Sequence, residues 1–152
     1  MKRLILLIFL LNCHLSFSQV AEDDEAAQQL IENFFDAFHK QDSIALKSFA
    51  HPEIKMHSVA IDAAGDTSLS IEEYSEFIKY LVSIPASTDF EEKLHEFEIN
   101  INGMIATVST TCSFYVNNEL SHCGVNTFQL MKSKGDWKII YLVDTRSKLG
   151  CE

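Results

Sequence analysis

Basic residues are scarce in this sequence, and so are proline and glycine, the two residues that most often interrupt regular structure. Twelve Lys and Arg stand against 22 Asp and Glu, which gives a formal net charge of −10. Because affinity for nucleic acid depends on Lys and Arg that neutralise phosphates, this balance argues against a nucleic-acid binder, and it disfavours anionic membrane surfaces for the same reason. With 2 Pro and 5 Gly, the sequence has no low-complexity linker and indicates one compact domain.

The sequence also has no long apolar run, and its most notable short one lies at the N-terminus. Lys2 and Arg3 precede an unbroken apolar run over residues 4–11, and the small residues Ser16 and Ser18 follow. This order predicts a secretory signal peptide, residues 1–18, that is cleaved after Ser18. Eight apolar residues are too few for a membrane span, which needs about 18 or more.

Two alternatives to a cleaved signal are a buried N-terminal helix and a lipoprotein attached through Cys13. The second requires a small residue before the cysteine, where this chain has Asn12. Cleavage would remove two positive charges, so the net charge would change from −10 to −12. Export, to the periplasm or outside the cell, would also place the remaining cysteines in an oxidising compartment.

Apolar and aromatic residues, by contrast, are plentiful. Hydrophobic residues make up 47% of the chain and aromatic residues 11%, with 11 Phe. This composition is too hydrophobic for a disordered segment, and the length suits a single domain with a substantial core. We therefore expect one domain over residues 19–152.

Periodicity predicts three helices in the N-terminal half. The first follows the acidic stretch after the leader and has apolar residues at i, i+3, i+4 and i+7. Asp42 can cap a short second helix that Pro52 stops. Ser70 and Glu73 form an S-x-x-E capping box for a third helix that ends at Pro85.

Alternation of period two predicts one strand between the second and third helices and a four-stranded antiparallel meander after the third. The first strand covers residues 53–60. Turn signals lie at Asn102-Gly103, Asn117-Asn118 and Lys134-Gly135. The fold class is therefore α+β, with three N-terminal helices packed on a strongly curved, mainly antiparallel sheet.

Two-residue loops at all three turns would fix which strand residues share a face. Phe97 would pair with Val108, Cys112 with Cys123, and Val125 with Asp144, unless a bulge shifts the pattern. The other face would then be apolar and exposed, which predicts a homodimer contact unless loops or the N-terminal segment cover it. Its residues would be Phe128, Leu130, Trp137, Ile139 and Tyr141.

The sequence resembles the nuclear transport factor 2-like (SnoaL-like) superfamily in A-x-x-x-x-D-x-x-A-L from Ala37 to Leu46 and in the ending G-D-W-K-I-I-Y. The segment F-Y-V-N-N-E-L-S-H-C-G-V-N-T-F-Q-L and the ending Y-L-V-D-T-R…G-C look like secreted bacterial putative lumazine-binding proteins. The resemblance covers residues 21–152. It implies a cone-shaped fold with a pocket, and this fold serves many unrelated functions.

The steroid-isomerase branch of that superfamily is not matched in its catalytic groups. Its tyrosine oxyanion donor corresponds to Phe34, its base falls near Ser58, and its second acid falls near Thr127. Phe cannot donate a hydrogen bond, and an unactivated hydroxyl is no base at neutral pH. A shift of one residue would put His57 at the position of the base.

Candidate chemistry therefore rests on His57, as a proton relay on the first strand, and on Asp144. Arg146 lies two residues after Asp144 on the same face, so the two could orient a polar ligand or form a structural ion pair. For a mostly apolar pocket with few polar groups, the predicted ligand-binding residues are Phe34, Phe38, His57, Ser58, Tyr74, Phe77, Phe97, Thr127, Gln129, Leu142, Asp144 and Arg146.

No metal or cofactor site is predicted. His122, Cys123 and Asn126 lack the spacing of a zinc site. Cys112 and Cys123 are directly opposite in the proposed register, which favours a disulfide between them and leaves Cys151 free or intermolecular.

These observations predict an exported domain that binds a small apolar or heteroaromatic ligand. One alternative is an enzyme of the lyase, isomerase or cyclase type that moves a proton with His57 or Asp144. Another is an interaction domain that uses the exposed sheet face.

Overall fold

A computed structural model of the chain describes residues 22–62 and 64–151. The predicted signal peptide, residues 1–18, lies outside the described residues. The helices are α1 (residues 22–39), α2 (Ser43–Phe49) and α3 (Tyr74–Ser83). The strands are β1 (Ala50–Ile61), β2 (Thr67–Glu72), β3 (Phe90–Asn102), β4 (Ile105–Val116), β5 (Glu119–Ser133) and β6 (Asp136–Arg146).

The strands form one six-stranded sheet in the order β2-β1-β6-β5-β4-β3. All neighbours are antiparallel except β1 and β6. The α+β class and the C-terminal meander are therefore confirmed. No helix in the described part of the chain is long and apolar enough to cross a membrane.

The core lies between the helices and one face of the sheet, here called the inner face. Phe34 of α1 contacts Phe128 of β5 edge to face, with ring centroids 5.9 Å apart. Leu46 of α2 and Leu81 of α3 are fully buried in the same cluster. Burial of these side chains holds the three helices against the sheet.

This arrangement overturns the expectation of an exposed apolar face. Phe128, Leu130, Trp137 and Ile139 are buried in the core, at 0–5% exposure. Only Tyr141 of the predicted group lies on the opposite, outer face of the sheet. The large apolar side chains of the last two strands are thus mostly buried in a single core.

Two bulges explain the change of face. Phe114 pairs with His122 but Tyr115 pairs with Leu120, so β5 has one extra residue near its start, and every later residue of β5 changes face. An extra residue at Ile140 reverses the change within β6. Leu142, Asp144 and Arg146 therefore keep their predicted face, whereas Thr127 and Gln129 do not.

Because of these bulges and a later β3–β4 loop, several residues pair with partners other than the predicted ones. Phe97 pairs with Thr110, Cys123 with Ser113, and Asp144 with Asn126. The loops at Asn117-Asn118 and Lys134-Gly135 are the predicted ones, and all four of these residues have positive φ, as a type I′ turn requires. The loop between β3 and β4 lies one residue later than predicted, at Gly103-Met104.

The helix starts are partly as predicted. The Asp42 carboxylate accepts hydrogen bonds from the backbone N–H groups of Ile44 and Ala45, both at 3.0 Å, which confirms it as the cap of α2. The capping box at Ser70 is wrong, because Glu73 makes no capping hydrogen bond and Ser70 lies in β2. β2 is an edge strand, and the sequence analysis did not predict it.

The predicted disulfide is also corrected. Cys123 is bonded to Cys151, with Cα atoms 5.6 Å apart, and Cys112 is a buried free thiol. The bulge in β5 turns Cys123 to the outer face, away from Cys112. Backbone hydrogen bonds between Cys123 and Ser147, 2.9 Å in both directions, bring the C-terminal segment alongside β5.

Candidate functional site

A cavity of about 560 Å³ lies between α1, α3 and the inner face of the sheet. Its volume is within the range of roughly 300–1,000 Å³ that is typical of small-molecule sites. One side is aromatic and the other is polar. Six phenylalanines form most of its aromatic lining, namely Phe34, Phe35, Phe38, Phe77, Phe90 and Phe114.

Phe38 is at the centre of the aromatic side. Its ring is parallel to that of Phe77 within 3°, at 6.1 Å between centroids, and meets the ring of Phe90 edge to face at 5.2 Å. The ring of Phe114 lies 6.5 Å away. Flat apolar surfaces of this kind favour a planar aromatic ligand.

Glu92 and Asn126 form the inner part of the polar side. Asn126 is 4% exposed, and its Nδ2 donates a hydrogen bond of 2.6 Å to Glu92 Oε1. The two strands that carry them flank β4, whose Cys112 thiol lies beside the Glu92 carboxyl. Side chains alternate between the two faces of a strand. Glu92 therefore faces inward together with Phe90 and Leu94, which lie two residues away on either side and pack against the core.

Burial raises the pKa of Glu92, because a charged carboxylate loses hydration in this cavity. The nearby Asp144 carboxylate also raises it, whereas the hydrogen bonds from Asn126 and Cys112 and the charge of Arg146 lower it. The pKa of the Cys112 thiol is raised by burial and by its neighbour Glu92. Burial therefore shifts both groups toward their uncharged forms.

Asp144 and Arg146 form an ion pair at the outer part of the polar side. Arg146 Nε donates to Asp144 Oδ2 at 2.6 Å, and Ser58 Oγ donates to the same oxygen at 3.0 Å. Burial lowers the pKa of Arg146, but the hydrogen bond to Asp144 and the surrounding carboxylates outweigh this and raise it. Arg146 is therefore fully charged, and its guanidinium is half exposed at the cavity.

His122 completes the polar lining. Its ring lies 5.0 Å from that of Phe114. Burial lowers the pKa of His122, and the charge of Arg146 lowers it further, although Asp144 acts in the opposite direction. His122 is thus neutral at physiological pH and can accept or donate one hydrogen bond.

The cavity brings together six of the predicted ligand-binding residues. These are Phe34, Phe38, Phe77, Leu142, Asp144 and Arg146. Ser58 does not line the cavity but holds the Asp144 carboxylate in place.

The other predicted site residues lie elsewhere. His57 is on the outer face, hydrogen-bonded to the Tyr141 hydroxyl at 2.5 Å. Thr127 is also on the outer face, where it bonds Ser109, and Gln129 is exposed there. Tyr74 lies in the core and donates to the Leu46 carbonyl at 2.7 Å.

Phe97 packs against the core without lining the cavity. Glu92, Asn126 and Cys112 line the cavity but were not predicted as ligand-binding residues. A signal for Glu92 was present, because it occupies an inward position of a strand whose other inward residues are apolar. Asn126 had no such signal until the bulge in β5 was known.

No metal site is evident in the part of the chain that the structure describes, since no three His, Cys, Asp or Glu side chains form a suitable group there. The polar side can instead bind an organic ligand by hydrogen bonds. Its available groups are a guanidinium, a carboxyl, an amide and an imidazole.

Solved structures share this fold at low sequence identity. A protein of unknown function from Mycobacterium tuberculosis has a TM-score of 0.71 at 12% identity, over 88% of this chain and 77% of that one. An NTF2-like protein of unknown function from Shewanella baltica has a TM-score of 0.61 at 14% identity, over 84% and 95%. A putative dehydratase of the NTF2-like family from Streptomyces avermitilis has a TM-score of 0.60 at 15% identity, over 84% and 97%.

These likenesses establish the fold alone. No curated protein matches the chain in sequence. The family model described as "Putative lumazine-binding" matches residues 22–143, which is most of the chain and agrees with the resemblance in the sequence. The chain therefore belongs to the putative lumazine-binding family, within the NTF2-like fold.

Proposed function

We propose that this protein is an exported small-molecule-binding protein whose cavity holds a planar, largely apolar heteroaromatic ligand such as a lumazine. The observation that carries the proposal is the division of one cavity into an aromatic side around Phe38 and a compact polar side around Glu92 and Asn126. The description of the family supports a ligand of this class. In this proposal the cavity is the wide end of a cone-shaped interior.

Each side has its own part in binding. The parallel rings of Phe38 and Phe77 offer a surface for stacking, which is worth about 1–3 kcal/mol per aromatic base in other proteins. The polar side fixes the orientation of the ligand by hydrogen bonds. Because most of the lining is apolar, burial of the ligand supplies the larger part of the affinity.

Export and a homodimer belong to the same proposal. The basic and apolar order of residues 1–18 supports secretion, and a Cys123–Cys151 disulfide is suited to an oxidising compartment. A homodimer would use the outer face of the sheet, where Ile105 is 55% and Val125 36% exposed. Light scattering of the purified protein tests the homodimer, and N-terminal sequencing of the secreted protein tests cleavage after Ser18.

Binding is tested by thermal shift and calorimetry with lumazine, flavin-like, steroid-like and polyketide-like compounds. We expect lumazine to raise the melting temperature, and Phe38→Ala to weaken its binding about tenfold or more. Gln129→Ala is the matched control, because its side chain is exposed on the outer face. Stabilisation by no compound would refute the proposal and favour an interaction domain.

An enzyme of the lyase, isomerase or cyclase type is the second candidate function. The observation that favours it is a carboxylate, Asp144, at the edge of a largely aromatic cavity, and a structural neighbour is named as a putative dehydratase. His57 is unsuited to this role because it faces away from the cavity. Turnover of a bound ligand, followed by NMR and lost in Asp144→Asn, would support the enzyme.

A further inference from the structure

The Glu92–Asn126 pair has hydrogen-bonding capacity that the protein itself leaves unused. Asn126 Nδ2 occupies one lone pair of Glu92 Oε1 and the Cys112 thiol also bonds the carboxyl, but the two oxygens of a carboxyl have capacity for further hydrogen bonds. Among the described residues, the Asn126 Oδ1 oxygen has no hydrogen-bond partner and is not sealed off from solvent. Both residues line the cavity, so these atoms are available to a ligand.

Two carboxyl groups, Glu92 and Asp144, lie near a single guanidinium, that of Arg146. The guanidinium of Arg146 is paired with Asp144 and acts on Glu92 only through its charge, so among the described residues no cation forms a salt bridge with Glu92. A carboxylate without a salt bridge is costly to bury, so burial shifts this group toward its protonated form. The titratable groups that face or adjoin Glu92 are Asp144 and Arg146 of β6, Cys112 of β4, His122 of β5 and His39 of α1.

His39 contributes to this arrangement through the backbone. Its Nε2 accepts a hydrogen bond of 2.9 Å from the Glu92 N–H. Burial lowers the pKa of His39, so the ring is neutral and supplies no positive charge to the carboxyl. His39 therefore adds no positive charge to that of Arg146, which is already paired with Asp144.

We propose that the Glu92–Asn126 pair is the recognition edge of the cavity, and that the Glu92 carboxylic acid makes two parallel hydrogen bonds with adjacent N–H and C=O groups of a cyclic imide or lactam. The acid O–H donates to the ligand carbonyl, and Oε1 accepts from the ligand N–H. This inference rests on the proposed function and narrows its ligand to heterocycles with an intact imide or lactam edge.

The same geometry disfavours other ligands. An anionic group against Glu92 would meet a carboxyl and, close by, the Asp144 carboxylate. A heterocycle methylated at its ring nitrogens would have no N–H to donate and would leave the polar groups of the cavity without partners, which is costly. The recognition edge therefore selects by the hydrogen-bonding pattern of the ring and not by its size alone.

The test compares lumazine with 1,3-dimethyllumazine, in which both ring N–H groups are replaced by N-methyl groups, by calorimetry on the wild-type protein and two variants. We expect the wild type to bind lumazine about 10- to 100-fold more tightly, as two hydrogen bonds warrant. Glu92→Leu should reduce this preference to less than about threefold. Glu92→Gln should retain it, because an amide also presents a donor next to an acceptor.

The pH dependence separates this role from a merely structural one. Lumazine binding to the wild type should weaken as the pH rises through the pKa of Glu92, because a carboxylate has no proton to donate. Glu92→Gln should lack this step, and it shares any titration of the ligand itself. Equal binding of both ligands, or an identical pH profile for Glu92→Gln, would overturn the inference and leave the proposed function standing. Binding of neither ligand would overturn the inference, and the proposed function with it if no other compound of the screen stabilises the protein.

Discussion

The Cys123–Cys151 disulfide provides the sharpest test of the fold. Cys123 lies in β5, Cys151 lies near the C-terminus, and 28 positions separate them in sequence. Cys151→Ser removes the cross-link without altering the buried Cys112. The free energy of unfolding should fall, because the unfolded chain regains the freedom that the closed loop removed.

The loop length sets the magnitude. For a loop of this size the chain-entropy relation gives about 3–4 kcal/mol at 25 °C. This is a large part of the roughly 5–15 kcal/mol that stabilises an ordinary domain. The melting temperature should therefore fall by about 10 °C.

Urea denaturation of the purified protein, with and without a reducing agent, measures the effect. Cys112→Ala is the matched control. The reducing agent should destabilise the wild type and Cys112→Ala by the same amount and leave Cys151→Ser unchanged. The assignment would be refuted if Cys151→Ser remained sensitive to the reducing agent while Cys112→Ala did not, since Cys112 would then be the partner of Cys123.

Three further predictions concern stability. The pKa of Glu92 is raised above its ordinary value of about 4.5, so its contribution to folding stability is complete below that pH and is lost as the pH rises through the folded-state pKa. Urea denaturation at a series of pH values should therefore show Glu92→Gln gaining stability relative to the wild type over that rise. Parallel curves of stability against pH for the two proteins would contradict this. Gly124→Ala should cost about 1–3 kcal/mol, because a Cβ there would lie 1.8 Å from the Thr145 carbonyl oxygen, whereas Gly135→Ala meets no atom and should lose only what its positive φ costs. Asp42→Ala should cost about 1 kcal/mol through the lost cap of α2, and an unchanged urea midpoint would show that the cap contributes nothing.

Local features of this fold could be predicted because their causes lie within a few residues. Asp42 caps α2 through N–H groups two and three residues ahead. The turns at Asn117-Asn118 and Lys134-Gly135 follow from the tolerance of Asn and Gly for positive φ. The amphipathic pattern of the first helix likewise indicated its buried face.

Features that depend on distant partners could not be predicted in this way. β2 is stabilised by pairing with β1, and its sequence alone also matched a helix cap. The bulges in β5 and β6 change which residues face the core, although no local signal marks them. The disulfide follows from them, because the face on which Cys123 lies determines which cysteine it can reach.

In the candidate site, too, some features have local causes and others depend on residues far apart in the sequence. From the sequence alone it follows that the chain is acidic, has the elements of an α+β domain, and contains enough aromatic residues for a core and an apolar pocket. The outward position of His57 and the contact of Glu92 with Asn126 in the cavity, by contrast, depend on how the strands pair. Helix caps and tight turns are set by interactions within a few residues, whereas the face of every residue after a bulge depends on how two strands far apart in sequence pair.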